Sequence, residues 1–383
     1  MYLLEHDAKE LLRSYDIPAP QGRLIARDDT IVRGTLPPGP WIVKGQIAAG
    51  GRGKAGIIRK AASTGELSSH TAEILGSTVK GREVTAVRIE QQVAGGREVY
   101  IGFLLDAAGG GVRVIVSASG GMDIEQISHD QIHSALAQPE EAALKDCVQG
   151  LARKLPPELA RAVSDAGGKL AHAFLALEAM LLEINPLFVL ADGSWVAGDA
   201  KLVTDDNALP RQKGLESIVK ARASDYTDVA RKHEHGFDYV VVDPAGEIGL
   251  LTTGAGLSMM LIDEMRSAGL KPYNFLDIRT GGLRGETRRL TQVLKWIGEG
   301  RNVKVLLVNI FAGITDLGEF SRLLVAALGP ANLKIPVVAR LVGTNLSAAR
   351  ENLAAANIPL HIDLDAALAD VRARLDEGTR AEG

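Results

Sequence analysis

The sequence predicts an α/β chain in two parts, and three patterns carry that prediction. Residues 41–119 hold several short apolar runs of strand length; beyond about residue 236, strand-length apolar runs alternate regularly with amphipathic stretches of helical length. Between the two textures lies a charged stretch, 225–236, which carries His233 and His235 and marks the expected boundary. Strand–helix alternation implies a doubly wound parallel sheet, whose ligands gather at the carboxyl ends of the strands. With 383 residues and 46% hydrophobic content, the chain can bury the cores of two or three domains.

The elements follow in order. Leu4, Ala8, Leu11, Leu12 and Tyr15 form one helical stripe, and Pro18 and Pro20 forbid its continuation past Asp16. Strands are expected at 41–43, 84–89, 99–105 and 112–117, the last two joined by a hairpin turn through Ala107 to Gly110. A helical stretch, 155–180, leads into a second hairpin over 181–202. In the second part, strands are expected at 239–242, 249–253, 274–278, 304–310, 336–341 and 361–364, all read as buried parallel strands. Helices are expected at 257–268, 286–298, 320–328 and 347–356.

Composition narrows the function. Lys plus Arg number 43 against 47 Asp plus Glu, a net charge of -4, so nothing points to nucleic acid or an anionic membrane as partner. The single Cys147 fits a reducing compartment and reads as an inert thiol. No apolar run approaches the length of a membrane span, and the N-terminus carries no cleavable signal pattern. A cytoplasmic protein, or the mature form of an organellar one, is the expectation.

Two local patterns carry chemistry. Lys44 is followed by Gly50, Gly51, Arg52, Gly53, Lys54, Ala55 and Gly56, between two strands. Glycines let backbone N–H groups approach phosphate oxygens, while Lys44 and Arg52 supply charge. Ala48 and Ala55 stand where a Walker A loop needs Gly and Ser or Thr, so this is a different phosphate cover, or else a flexible hairpin tip with solvated cations. The second pattern is the 181–202 hairpin. A three-residue turn of Ala191, Asp192 and a left-handed Gly193 places Asn185 opposite Asp199 on one face. One amide oxygen and one carboxylate at that spacing suit Mg²⁺; a slip of one residue would separate them. None of the eight histidines has a nucleophile's context, so no catalytic residue is expected in this chain.

These patterns, in this order, resemble the β subunit of succinyl-CoA synthetase, as do Glu98 to Gly102, Thr253 to Leu257, Asn274 to Asp277 and Val308 to Ile314. The resemblance covers nearly the whole chain. It implies an ATP-grasp fold over 1–236, with 21–105 as its N-terminal subdomain, and a flavodoxin-like domain over 237–383. It further implies that Lys44, Gly51, Arg52 and Gly53 contact nucleotide phosphates. On the same basis Glu90 accepts from the ribose at the cleft edge, Val93 lies in the adjoining hinge, Glu98 is a further nucleotide-site carboxylate, and Asn185 and Asp199 hold Mg²⁺. The family interconverts ATP or GTP, a carboxylic acid and coenzyme A with NDP, phosphate and an acyl-CoA, using a phosphohistidine on a separate α subunit in an αβ or α2β2 complex.

The departures cluster in the second part. Thr253 replaces the family's usual asparagine, Ile278, Arg279 and Thr280 precede Gly281 and Gly282 where a run of glycines is usual, and Asp316 follows Thr315 where an arginine is usual. Gly313, Ile314 and Thr315 are expected to open a helix whose N-terminus receives phosphate or a substrate carboxylate, with Asp316 and Glu319 forming a capping box. Arg279 offers a fork to an extra carboxylate. The acid is therefore expected to be succinate or a related dicarboxylate such as malate, since the segments 120–125 and 311–314 also resemble malate–CoA ligase. The alternatives are an ATP-grasp ligase joining an acid to an amine, and a nucleotide-binding subunit without phosphoryl transfer.

Overall fold

A computed structural model describes residues 1–27, 29, 33–122, 126–283 and 285–381, and they fall into two compact units, Met1–Ala221 and Arg222–Gly383. Residues 123–125 of the segment resembling malate–CoA ligase lie outside the described residues. The division falls ahead of the charged stretch placed at the boundary: Thr227–His235 forms a helix of the second unit, closed by Gly236 in the left-handed conformation.

The first unit contains two main antiparallel sheets, besides the two-stranded pair Thr78–Val79 and Arg82–Glu83. The smaller has the strand order Gly22–Ala26, Ala86–Gln91, Trp41–Gln46, Ile58–Ala61. Its Val43, Val87 and Ile89 pack with Leu67 and Ile74 of the helix Thr64–Ile74. Along Ala86–Gln91 the alternate residues Arg88 and Glu90 point to the opposite face, which is also buried. The larger sheet runs Trp195–Ala197, Ala179–Val189, Arg97–Asp106, Gly111–Ser117, Ile132–Ala137, with Lys201–Thr204 also paired to Ala179–Val189. Since Arg97–Asp106 lies in this second sheet, the first ends at Gln91, short of residue 105 where the subdomain was expected to end. Helices Glu141–Ala152 and Pro157–Ala176 pack against the larger sheet, bringing Phe174 within 5.9 Å of Phe103, ring centre to ring centre.

The turn chemistry read from the sequence holds in the hairpin. Leu190 and Ser194 close a three-residue turn in which Gly193 has φ +82°. The pairs Leu187–Ala197 and Glu183–Lys201 keep one register on either side of Asn185 and Asp199, which therefore stand opposite each other. Glu183 and Asn185 are half-buried, whereas Leu182 and Ile184 are buried on the other side.

The second unit is built on a parallel sheet ordered Ile248–Thr252, Val305–Asp316, Val337–Thr344, Leu360–His361. Both faces are covered, as the continuous apolar runs require. Leu306, Val308 and Ile310 face Leu294, Phe320, Leu324 and Leu353, while Leu307 and Val338 face Leu261, Met265 and Val371. Two of the expected parallel strands stand outside this sheet: Asp238–Val241 and Asn274–Asp277 pair antiparallel with each other. A short run of four apolar residues carries no information on strand direction, so that choice falls to tertiary contacts. Buried Leu307 is in the central strand, and Leu307→Ala should lower the unfolding free energy of this unit by about 2–5 kcal/mol. Urea denaturation followed by circular dichroism would measure it.

Candidate functional site

The first unit has a cleft of about 880 Å³ lined by both of its sheets. Lys44 enters from the strand Trp41–Gln46, the loop Gly50 to Lys54 covers one end, and Glu98, Asn185, Phe188 and Asp199 enter from the larger sheet. Val93, in the loop after Ala86–Gln91, also lines it. Thus Lys44, Gly51, Arg52, Gly53, Glu90, Val93, Glu98, Asn185 and Asp199, all singled out from sequence, meet at one cavity.

Beneath the cleft lies a buried ion cluster that sequence reasoning missed. Glu5, from the helix Glu5–Arg13, has a side chain 1% exposed; its Oε1 is 2.6 Å from Lys9 Nζ and 2.8 Å from Lys44 Nζ, and its Oε2 accepts from Arg52 at 2.5 Å. Glu90 is equally buried and is held by Lys44 at 2.7 Å, Lys9 at 2.9 Å and Arg88 at 2.8 Å. Lys44 and Lys9 both donate to the Gly198 carbonyl, at 2.7 and 2.8 Å. Arg52 also grips Asp199, with one nitrogen 2.6 and 2.8 Å from its two oxygens.

This geometry corrects one reading. Glu90 does not stand at the cleft edge as an open acceptor for a ribose; both its oxygens are taken by buried cations. Lys44 likewise spends its three N–H groups on Glu5, Glu90 and Gly198. A signal for Glu5 and Lys9 was present in the sequence, because they are spaced i,i+4 and flank the apolar stripe, but that spacing is also that of an ordinary solvated helix pair.

The cluster sets its own protonation. Burial alone would raise Glu5, yet Arg52, Lys44 and Lys9 together hold it well below the usual carboxylate range. Glu90 is lowered in the same way, against burial, chiefly by Lys44 and Lys9. Burial would depress Lys44 as well, but Glu5, Glu90 and Asp199 raise it above its ordinary value, so it stays charged.

Asn185 and Asp199 both line the cleft, the latter with its carboxylate on Arg52. Asn185 Oδ1 accepts from Gly121 N at 2.7 Å and keeps a second lone pair, while its amide donates to Met122 O at 2.8 Å. Gly121 has φ +74°, a conformation that favours glycine, and a Cβ there would push aside the Glu98 carboxylate. An amide oxygen and a partly exposed carboxylate on one face suit a hard divalent cation that keeps water and phosphate in its remaining positions.

In the second unit, the carboxyl ends of the parallel strands gather three threonines. Thr280 Oγ1 lies 2.8 Å from Thr315 Oγ1, and Thr280 N donates to Thr253 Oγ1 at 3.5 Å. From sequence Thr280 stood out only as a departure from the family pattern, not as a site residue. The expected helix start at Gly313 is absent: the strand Val305–Asp316 continues through it, and Gly313 to Thr315 bulge between the pairs Ala312–Gly343 and Asp316–Thr344, with the Thr315 carbonyl accepting from Thr344 Oγ1 at 2.8 Å. Ile314 is 99% exposed there. The helix begins at Leu317, capped by Asp316, which accepts from Glu319 N at 2.8 Å, so the positive helix end is spent on Asp316. That hydrogen bond, with the Asn345 amide, lowers the Asp316 carboxyl. Arg279 is half turned from this site, donating to Asp238 at 3.1 Å.

Residues 2–189 match the ATP-grasp domain family and residues 251–373 the CoA-ligase family. Fold and cleft together thus define an ATP-grasp protein joined to a CoA-ligase domain. The chain belongs to the family of ADP-forming succinate–CoA ligase β subunits. It is 36% identical over 365 residues to that of Chloroflexus aurantiacus, covering 92% of this chain and 93% of the relative. To that of Ralstonia pickettii it is 35% identical over 375 residues, covering 94% and 95%. Among solved structures, ATP citrate lyase from Methanothrix soehngenii, in complex with citrate and coenzyme A, shares the fold with a TM-score of 0.70 at 18% identity, over 94% of this chain and 95% of that one.

Folded-state pKa values below the ordinary 4.5 mean that Glu5 and Glu90 contribute stability fully above that pH and lose it as pH falls through their folded values. Thermal unfolding of the first unit should therefore drop steeply below pH 4.5. Glu90→Gln should flatten that slope while lowering stability by about 3–5 kcal/mol at neutral pH, because it leaves buried cations without a counter-charge.

Proposed function

We propose that this chain binds a nucleoside triphosphate with Mg²⁺ in the cleft of its first unit. With an α-subunit partner it exchanges the terminal phosphoryl group with a histidine of that partner, forming acyl-CoA, NDP and phosphate from a carboxylic acid and coenzyme A. The observation that carries this reading is the single cavity in which Lys44, Gly51, Arg52, Gly53, Asn185 and Asp199 meet. Phosphoryl transfer asks for little beyond in-line positioning and neutralised oxygen charge, which two charge-locked cations and a run of glycine N–H groups supply.

Asn185 and Asp199 would hold the metal, which neutralises phosphate oxygens when bound. For that, Asp199 must give up Arg52, and Arg52 then turns its fork toward the phosphates. The names of the ADP-forming relatives favour ATP over GTP. They also favour succinate or a close dicarboxylate, for which we assign the hydroxyls of Thr253, Thr280 and Thr315 and the exposed N–H groups of Gly313 and Ile314, with Arg279 reaching a second carboxylate once it leaves Asp238. We place the complex, αβ or α2β2, in the cytoplasm, where Cys147 stays reduced.

Three outcomes test this. With γ-labelled ATP, Lys44→Met should slow labelling of the partner's histidine by about 10²–10³-fold, the scale of one lost charge stabiliser. Arg52→Gln should free Asp199, so that the nucleotide-free chain binds Mn²⁺ about fivefold more tightly by water-proton relaxation. Across a panel of acids the complex should turn over succinate or malate ahead of acetate; equal rates would count against the dicarboxylate assignment.

A further inference from the structure

The triphosphate reading accounts for Lys44 and Arg52 but not for the carboxylate that both of them touch. Glu5 belongs to the N-terminal helix, and its two oxygens divide between the cleft's cations: Oε1 takes Lys44 at 2.8 Å, Oε2 takes Arg52 at 2.5 Å. Lys9, one turn further along the helix, braces this arrangement from behind. It contacts Glu5 at 2.6 Å and both oxygens of Glu90 at 2.9 and 3.1 Å, and shares the Gly198 carbonyl with Lys44.

Burying these charges is a poor way to gain stability, since apolar residues of similar volume commonly do as well or better. What an ion pair does supply is direction. Lys44 and Arg52 are long, rotamer-rich side chains from different segments, one on a strand and one on a glycine-rich loop that would otherwise leave it loose. A single buried carboxylate that grips both fixes their separation and holds them on the cleft wall before any ligand arrives. Cations already in place lose less freedom when a phosphate binds.

We propose that Glu5, braced by Lys9, is a positioning residue for the nucleotide phosphates, setting the spacing and direction of Lys44 and Arg52. It rests on the reading of the cleft as a triphosphate site. Glu5 touches no substrate atom; it acts through the two cations, and its removal is felt in nucleotide affinity and in the rate of phosphoryl transfer.

The test separates positioning from charge balance. Glu5→Gln alone strands buried cations and will lower stability, and burial already presses the Lys9 ammonium downward against the pull of Glu5 and Glu90. The double variant Glu5→Gln with Lys9→Met removes one charge of each sign, so the cluster stays balanced while Lys44 and Arg52 lose their shared anchor. In the full-length chain this variant should keep the wild-type circular dichroism spectrum and an unfolding midpoint close to wild type. By calorimetry it should nevertheless bind MgADP about ten- to a hundredfold more weakly, the scale of one or two lost charge-assisted contacts. In complex with the α subunit, labelling of the partner's histidine should also be slower at saturating ATP. A folded double variant with wild-type affinity and labelling rate overturns the proposal. If the double variant does not fold, Glu5→Asp keeps the charge but shortens the reach by one methylene; weakened MgADP binding supports positioning and unchanged binding overturns it. Should the wild-type chain bind no nucleotide, the cleft assignment fails and takes this role with it. Equal binding by wild type and variant removes the role of Glu5 alone.

Discussion

Two buried carboxylates, Glu5 and Glu90, constrain most of what the first unit can do. Between them they pair with Lys9, Lys44, Arg52 and Arg88 and offset much of the cost of burying those four cations. The cluster also joins parts of the chain far apart in sequence. The N-terminal helix contributes Glu5 and Lys9, the smaller sheet Lys44, Arg88 and Glu90, the glycine-rich loop Arg52, and the hairpin the Gly198 carbonyl and Asp199. A helix that looks peripheral in the sequence therefore becomes the floor of the cleft.

A cleft wired this way balances its own charge in the absence of ligand. Lys44 has no spare N–H, and Arg52 is shared between Glu5 and Asp199. Under the proposed function an entering anion would meet cations already held by carboxylates, and a metal ion at Asp199 would free one edge of Arg52 for the phosphates in the same step. Such exchange keeps the number of ion pairs nearly constant, so the desolvation cost of a buried charge is not met afresh at each binding event.

The second unit solves a different problem. Its parallel strands are apolar on both faces because helices cover both, which leaves polar chemistry only at the strand ends. There, Thr253, Thr280 and Thr315 converge beside the bulge of Gly313 to Thr315, which leaves the strand register between Ala312 and Asp316. The following helix does not offer its positive end, because Asp316 already occupies it.

Periodicity and turn chemistry were enough to reveal the two-part architecture, the glycine-rich loop that lines the cleft beside Lys44, and the opposed pair Asn185 and Asp199. In each case the determinant is local: a repeat of 2 or 3.6 residues, a glycine forced to positive φ, or a hairpin whose turn sets its register. The antiparallel course of Asp238–Val241, the burial of Glu90, the service of Glu5 and Lys9 to the cleft, and the arch at Gly313 were decided only in the folded chain. Those depend on which distant segments meet. A carboxylate on a helix or strand reads the same whether it faces water or a lysine forty residues away, and only the tertiary contacts supply the counter-charge that makes burial possible.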